Sequence, residues 1–152
     1  MHAHSQPTIL PADDSTLWRQ AYIEAFVDTS SEYYQRWIAQ PRQFSDGIHY
    51  TGYLWDCLRS PSGITIQRFR HEVVRHPEVF VMADDHSRDR IPAPLWPYPP
   101  LSVACFKPQP LLESLDTLPE DIYVFDSSVS WTLVLTHEYL RRRICCAIGI
   151  EP

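Results

Sequence analysis

The residue types best suited to chemistry lie near the C-terminus, where Thr136-His137-Glu138 sets an imidazole beside a carboxylate and Asp126-Ser127-Ser128 comes shortly before. An adjacent His and Glu suit acid–base work or metal binding. Neighbours on a strand point to opposite faces, so His137 and Glu138 share one site only where a bulge or a strand end re-aims them. Asp126 belongs to a turn, where its side chain can cap backbone N–H groups. Two readings of Asp126, Thr136, His137 and Glu138 stay open: hydrogen-bonding structure at a strand end, or a ligand or partner site. An enzymatic version would be a small hydrolase-like protein with His137 and Glu138 as an acid–base pair, Asp126 alongside, and a hydroxyl from Ser127 or Thr136.

The remaining candidates are more dispersed. His2, His4, His49, His71, His76 and His86 form no HExxH or other compact ligand spacing, and no GxSxG or SxxK pattern occurs. No catalytic residues, metal or cofactor are therefore assigned. Asp84-Asp85-His86 is an acidic cluster after a strand, suited to a solvated loop or to a basic partner. Arg68, His71 and Arg75 fall at helical spacing as a basic solvated face, and Arg141-Arg142-Arg143 makes a second basic patch. In Pro94-Leu95-Trp96-Pro97-Tyr98-Pro99-Pro100, Trp96 and Tyr98 sit on a stiff scaffold that loses little entropy on binding; packing back onto the sheet is the alternative. Trp18, Trp37, Trp55 and Trp131 fall on periodic faces and read as core. Cys57, Cys105, Cys145 and Cys146 lack CxxC spacing and read as reduced, mostly buried thiols, the vicinal pair pointing to opposite faces of a strand.

Composition limits what these residues can serve. A chain of 152 residues with 44% hydrophobic and 21% charged residues suits one folded domain, residues 1–152, with residues 1–13 as a poorly ordered tail. The formal net charge of −6 disfavours binding to a phosphate backbone. Fourteen prolines against four glycines argue for stiff connections and against a glycine-rich phosphate loop. No apolar run approaches the ~20 residues a membrane span requires, and residues 1–11 show no secretory leader, so a cytoplasmic protein without membrane contact is expected.

The elements that must position the candidates follow from periodicity. Leu17, Trp18, Tyr22, Ala25 and Phe26 predict an amphipathic helix from Thr16 to Asp28, and Thr29 with Glu32 predicts a second helix ending before Pro41. Tyr53–Leu58 reads as a short buried helix closed by a turn at Ser60–Gly63. Ile66, Phe69 and Val73 predict a third helix that ends at His76-Pro77, although Ile64-Thr65-Ile66 alone also fits a strand. Beyond it, Val79–Met82 reads as a strand, Leu101–Phe106 as an edge strand between prolines, and Pro110–Leu115 as a brief helix. Ile122–Phe125 and Trp131–Thr136 form a hairpin through Asp126–Ser130, and Arg143–Ile148 adds a strand. The predicted class is α+β, with N-terminal helices on a mainly antiparallel sheet and a C-terminal hairpin.

Tyr53-Leu54-Trp55, Asp121-Ile122-Tyr123-Val124-Phe125-Asp126, Ser130-Trp131-Thr132 and Thr136-His137-Glu138 resemble, in order and spacing, the bacterial and phage family known as domain of unknown function 4275. The resemblance implies a compact α+β fold and highlights Asp126, Trp131, Thr136, His137 and Glu138, without assigning them a reaction. By analogy with small bacterial immunity proteins, the expected function is non-catalytic binding: an immunity or antitoxin-like protein neutralising a cognate toxin, such as a basic nuclease domain. Its expected partner-binding residues are Asp84, Asp85, Trp96, Tyr98, Asp126, Trp131, His137 and Glu138, on a monomer or homodimer. An interaction module that dimerises through the strand near Leu101–Phe106 is the third possibility.

Overall fold

In the computed structural model the described residues are 6–39, 42–43, 49–50, 53–83, 98–99, 101–119, 121–136 and 144–151. Along the chain come β1 (Thr8–Ile9), α1 (Ala12–Phe26), α2 (Glu32–Trp37), β2 (Arg42–Gln43), β3 (His49–Tyr50) and a 3-10 turn at Leu54–Cys57. Then follow β4 (Ser62–Ile64), α3 (Ile66–Val73), β5 (Val79–Ala83), β6 (Ala104–Phe106), α4 (Pro108–Ser114), β7 (Ile122–Phe125), β8 (Thr132–Thr136) and β9 (Ile144–Ile148). Seven strands make one antiparallel sheet in the order β1-β6-β5-β7-β8-β9-β4, and β2 pairs with β3. The α+β class read from the sequence is the class observed. No helix among the described residues is long and apolar enough to cross a membrane.

The sheet is apolar on both faces, and each face carries its own core. Val81, Ile122, Val124, Leu133, Leu135, Cys145 and Ala147 pack against Phe69 and Val73 of α3 and Leu111 and Leu112 of α4. The alternate residues Met82, Tyr123, Phe125 and Val134 pack against Tyr22 and Phe26 of α1 and against Leu54 and Cys57. Helices therefore cover both sides, which is why β7 and β8 are buried at every position instead of alternating between buried and exposed. Within the second core the Tyr22 ring meets Tyr123 edge-on at 5.4 Å and Phe125 at 5.1 Å, and its hydroxyl hydrogen-bonds Thr132 Oγ1 at 2.9 Å.

Several expectations are corrected. Residues 8–13 do not belong to a tail: Thr8–Ile9 pairs with β6, and α1 begins at Ala12. The hydroxyl of Ser15 secures this start, accepting the Val103 N–H at 2.9 Å and donating to the Leu10 carbonyl at 3.2 Å. On α1 the buried positions are Ser15, Tyr22 and Phe26, whereas Leu17 and Ala25 face solvent, because adjacent helical positions are turned by ~100°. The cap of α2 is Ser31, which accepts the Tyr34 N–H, and not Thr29.

Ser62 and Gly63, read as turn, form with Ile64 the strand β4 on β9; Thr65 then caps α3 by accepting the Arg68 N–H at 3.0 Å. The predicted edge strand is shorter than Leu101–Phe106 and lies inside the sheet, with β1 on one side and β5 on the other. Its ladder is paired on both sides, which removes the free edge that a strand-to-strand homodimer there requires. His71 and Arg75 on the expected basic face of α3 do face solvent, with Arg68 partly exposed, and the two arginines also close on a buried carboxylate. Glu72 is buried, and its carboxylate takes Arg68 Nε at 2.7 Å and Arg75 Nη1 at 3.2 Å.

Candidate functional site

The hairpin turn between β7 and β8 is built around Asp126. Its Oδ1 accepts the Ser128 N–H at 2.9 Å and the Ser128 hydroxyl, an arrangement that Asp favours because its short side chain reaches the N–H two residues on. The Asp126 carbonyl accepts the Val129 N–H at 3.0 Å, and the hydroxyls of Ser128 and Ser130 lie 2.7 Å apart. Val129 sits at φ 49°, a left-handed conformation unusual for a β-branched residue. The Asp126 bonds and the half-buried packing of the Val129 side chain on the second core hold it there. From the far side Gly149, at φ +76°, comes so close that a Cβ would stand 2.1 Å from the Ser130 carbonyl oxygen.

Two aromatic rings complete the constellation. Trp131 is buried in the first core. On it lies the imidazole of His76, centroids 4.1 Å apart and planes 14° from parallel, with Nδ1 3.8 Å from Asp126 Oδ2. About a quarter of each side chain, 25% for His76 and 27% for Asp126, stays in contact with solvent. Burial alone would raise the Asp126 pKa. Hydrogen bonds from the Ser128 hydroxyl, the Trp131 side chain and the Ser128 N–H, with the His76 charge last, outweigh burial and hold the carboxyl below the usual value.

This arrangement presents a fixed negative charge at a solvent-facing turn, backed by stacked rings. It does not line up a nucleophile. A serine activated by histidine needs the imidazole between hydroxyl and carboxylate, whereas here the Asp126 carboxylate receives the Ser128 hydroxyl itself. Among the described residues no group of three His, Cys, Asp or Glu side chains is placed to hold a metal ion. An open cleft of about 320 Å³ lies between the N-terminal segment and α4, lined by Gln6, Pro7, Phe106, Pro110, Glu113, Ser114 and Thr117. None of the predicted partner-binding residues lines it.

Of the predicted partner-binding residues, Asp126 and Trp131 are brought together. Tyr98 packs its partly buried ring against the first core, and burial pushes its hydroxyl pKa up. Asp84, Asp85, Trp96, His137 and Glu138 lie outside the described residues. Sequence reasoning missed His76, taken there only as the end of a helix. The signal was the pairing of Phe80 with Phe125: antiparallel register puts the residues before β5 beside those after β7. Cys145 and Cys146 do point to opposite faces, one in each core, and all four cysteines are free thiols.

The molecule is thus a three-layer α+β protein with a hairpin-turn site on one end of its sheet. No family model matches the chain, and no similar curated protein or solved structure was found.

Proposed function

We propose that this chain is a non-catalytic binding protein of the immunity or antitoxin kind, acting in the cytoplasm by direct contact with a toxin domain. The observation that carries the reading is Asp126: a carboxylate kept ionised by its own turn, partly exposed and locked against a His76–Trp131 stack. An anchor of this kind loses little freedom on binding, which favours affinity for a cationic group of a partner. The net charge of −6 supports a basic partner, such as a nuclease domain, through faster electrostatic encounter. Membrane and nucleic-acid partners have no comparable support. The resemblance to domain of unknown function 4275, carried by the hairpin residues, is compatible with this reading and adds no reaction to it.

The test is co-expression with the product of the neighbouring gene, followed by capture and calorimetry. Association, protection of cells from that product, and an affinity loss of ~10-fold or more for Asp126→Asn would support the proposal. Absence of both association and protection would remove it.

A further inference from the structure

Among the described residues, three of the four exposed large hydrophobics lie on the outer faces of two helices: Leu17, 64% exposed, on α1, and Ile66 and Val74, 37% and 49%, on α3 and its cap. Around Leu17 the solvent face of α1 carries Asp13, Gln20 and Glu24, at helical spacings of four, three and four residues. The α3 face has the reverse pattern, with Ile66, Arg70 and Val74 four residues apart and the cation between two apolar side chains. None of the ion pairs among the described residues uses Asp13, Glu24 or Arg70. At ~1.5 Å per residue the two stripes span ~16 Å and ~12 Å, so one can lie along the other.

We propose that copies of this chain associate head to tail, the Asp13–Leu17–Glu24 face of α1 in one copy docking on the Ile66–Arg70–Val74 face of α3 in the next. Charge complementarity selects this occupant: the α1 face offers the carboxylates Asp13 and Glu24 beside an exposed Leu17, and the α3 face offers the Arg70 cation beside exposed Ile66 and Val74. Tyr22 and Phe26 of α1 bury into the core on one side of the sheet, whereas Phe69 and Val73 of α3 bury into the other. Their solvent faces therefore look outward from opposite sides. A contact between them uses different patches on its two partners, so each added copy leaves a free patch at either end. Two single helix faces fall at the small end of interface sizes, and the association is correspondingly weak. Net charge opposes it at long range. At ~0.15 M salt the screening length of ~8 Å suppresses repulsion between whole molecules more than attraction between touching side chains.

Sedimentation equilibrium of the full chain, up to ~1 mM protein, reads this directly. The mean mass should rise with concentration past two copies without a plateau, and fall toward one copy near ~1 M salt, where screening reaches ~3 Å. Arg70→Glu and Glu24→Lys should each weaken the association by ~10-fold or more, with circular dichroism unchanged. Each variant keeps one unaltered face, so an equimolar mixture should recover association. A single-copy mass throughout, a plateau at two copies, unaltered association of Arg70→Glu, or no recovery on mixing would overturn the proposal.

Discussion

The imidazole of His76 lies flat on the indole of Trp131, 4.1 Å between centroids, although more than fifty residues separate them in the chain. The stack ties the end of α3 to the β7–β8 turn and turns one edge of His76 toward Asp126. Ring pairs of this kind are worth ~0.5–1.5 kcal/mol beyond the area they bury. His76→Ala should therefore lower unfolding stability by about 1 kcal/mol in urea at neutral pH and change the Trp131 fluorescence. An unchanged emission spectrum would show that the two rings do not stay stacked.

Acid should weaken the fold through two carboxylates. Glu72 is buried, which by itself raises its pKa, but hydrogen bonds and charge from Arg68 and Arg75 hold it below the unfolded value; Asp126 is likewise held low. A folded pKa lower than the unfolded one gives stability that is present above the unfolded value, ~4, and lost as pH falls through the folded value. In urea melts Glu72→Gln should be less stable than the parent at pH 7, and the gap should close as pH drops below ~4. A gap that persists at pH 2 would assign the cost to packing instead of charge.

Two glycines give a contrast between a costly and a neutral substitution. Gly149 takes a left-handed backbone and has the Ser130 carbonyl where a Cβ would stand, whereas a Cβ on Gly63 meets nothing within 4 Å. Gly149→Ala should cost ~2 kcal/mol or more, because strain and a backbone clash add. Gly63→Ala should be neutral to within ~0.5 kcal/mol. Equal melting temperatures for the two variants would contradict this account of the turn.

Val129 separates strain from packing. A left-handed non-glycine residue costs ~1–2 kcal/mol, and its half-buried side chain returns part of that through contact with the second core. Val129→Gly removes both and should leave stability within ~1 kcal/mol of the parent. Val129→Ala keeps the strain and loses methyl groups, so it should be the less stable of the two, by ~1 kcal/mol on the same denaturation assay. The reverse order would mean that the backbone at this position is relaxed.

Local patterns made most of the elements legible. Ile122–Phe125, Trp131–Thr136 and the turn between them show β-prone residues flanking turn-forming ones, and β7 and β8 lie there almost residue for residue. What failed were judgements that depend on a distant partner. Ser62–Ile64 is too short and polar to announce a strand and exists because Cys145–Ala147 offers it a ladder. Thr8–Ile9 is ordered by β6 in the same way. The candidate site divides along this line: Asp126 and Trp131 could be read from the hairpin, whereas His76 joins them only through the β5–β7 register.

The vicinal thiols Cys145 and Cys146 give β9 a use independent of any partner. Cys145 is sealed beneath α3 and α4, while Cys146 rests, partly accessible, on the side covered by α1. A thiol reagent applied under native conditions would thus act as a clock with two hands, each timing how often one blanket of helices lifts from the sheet.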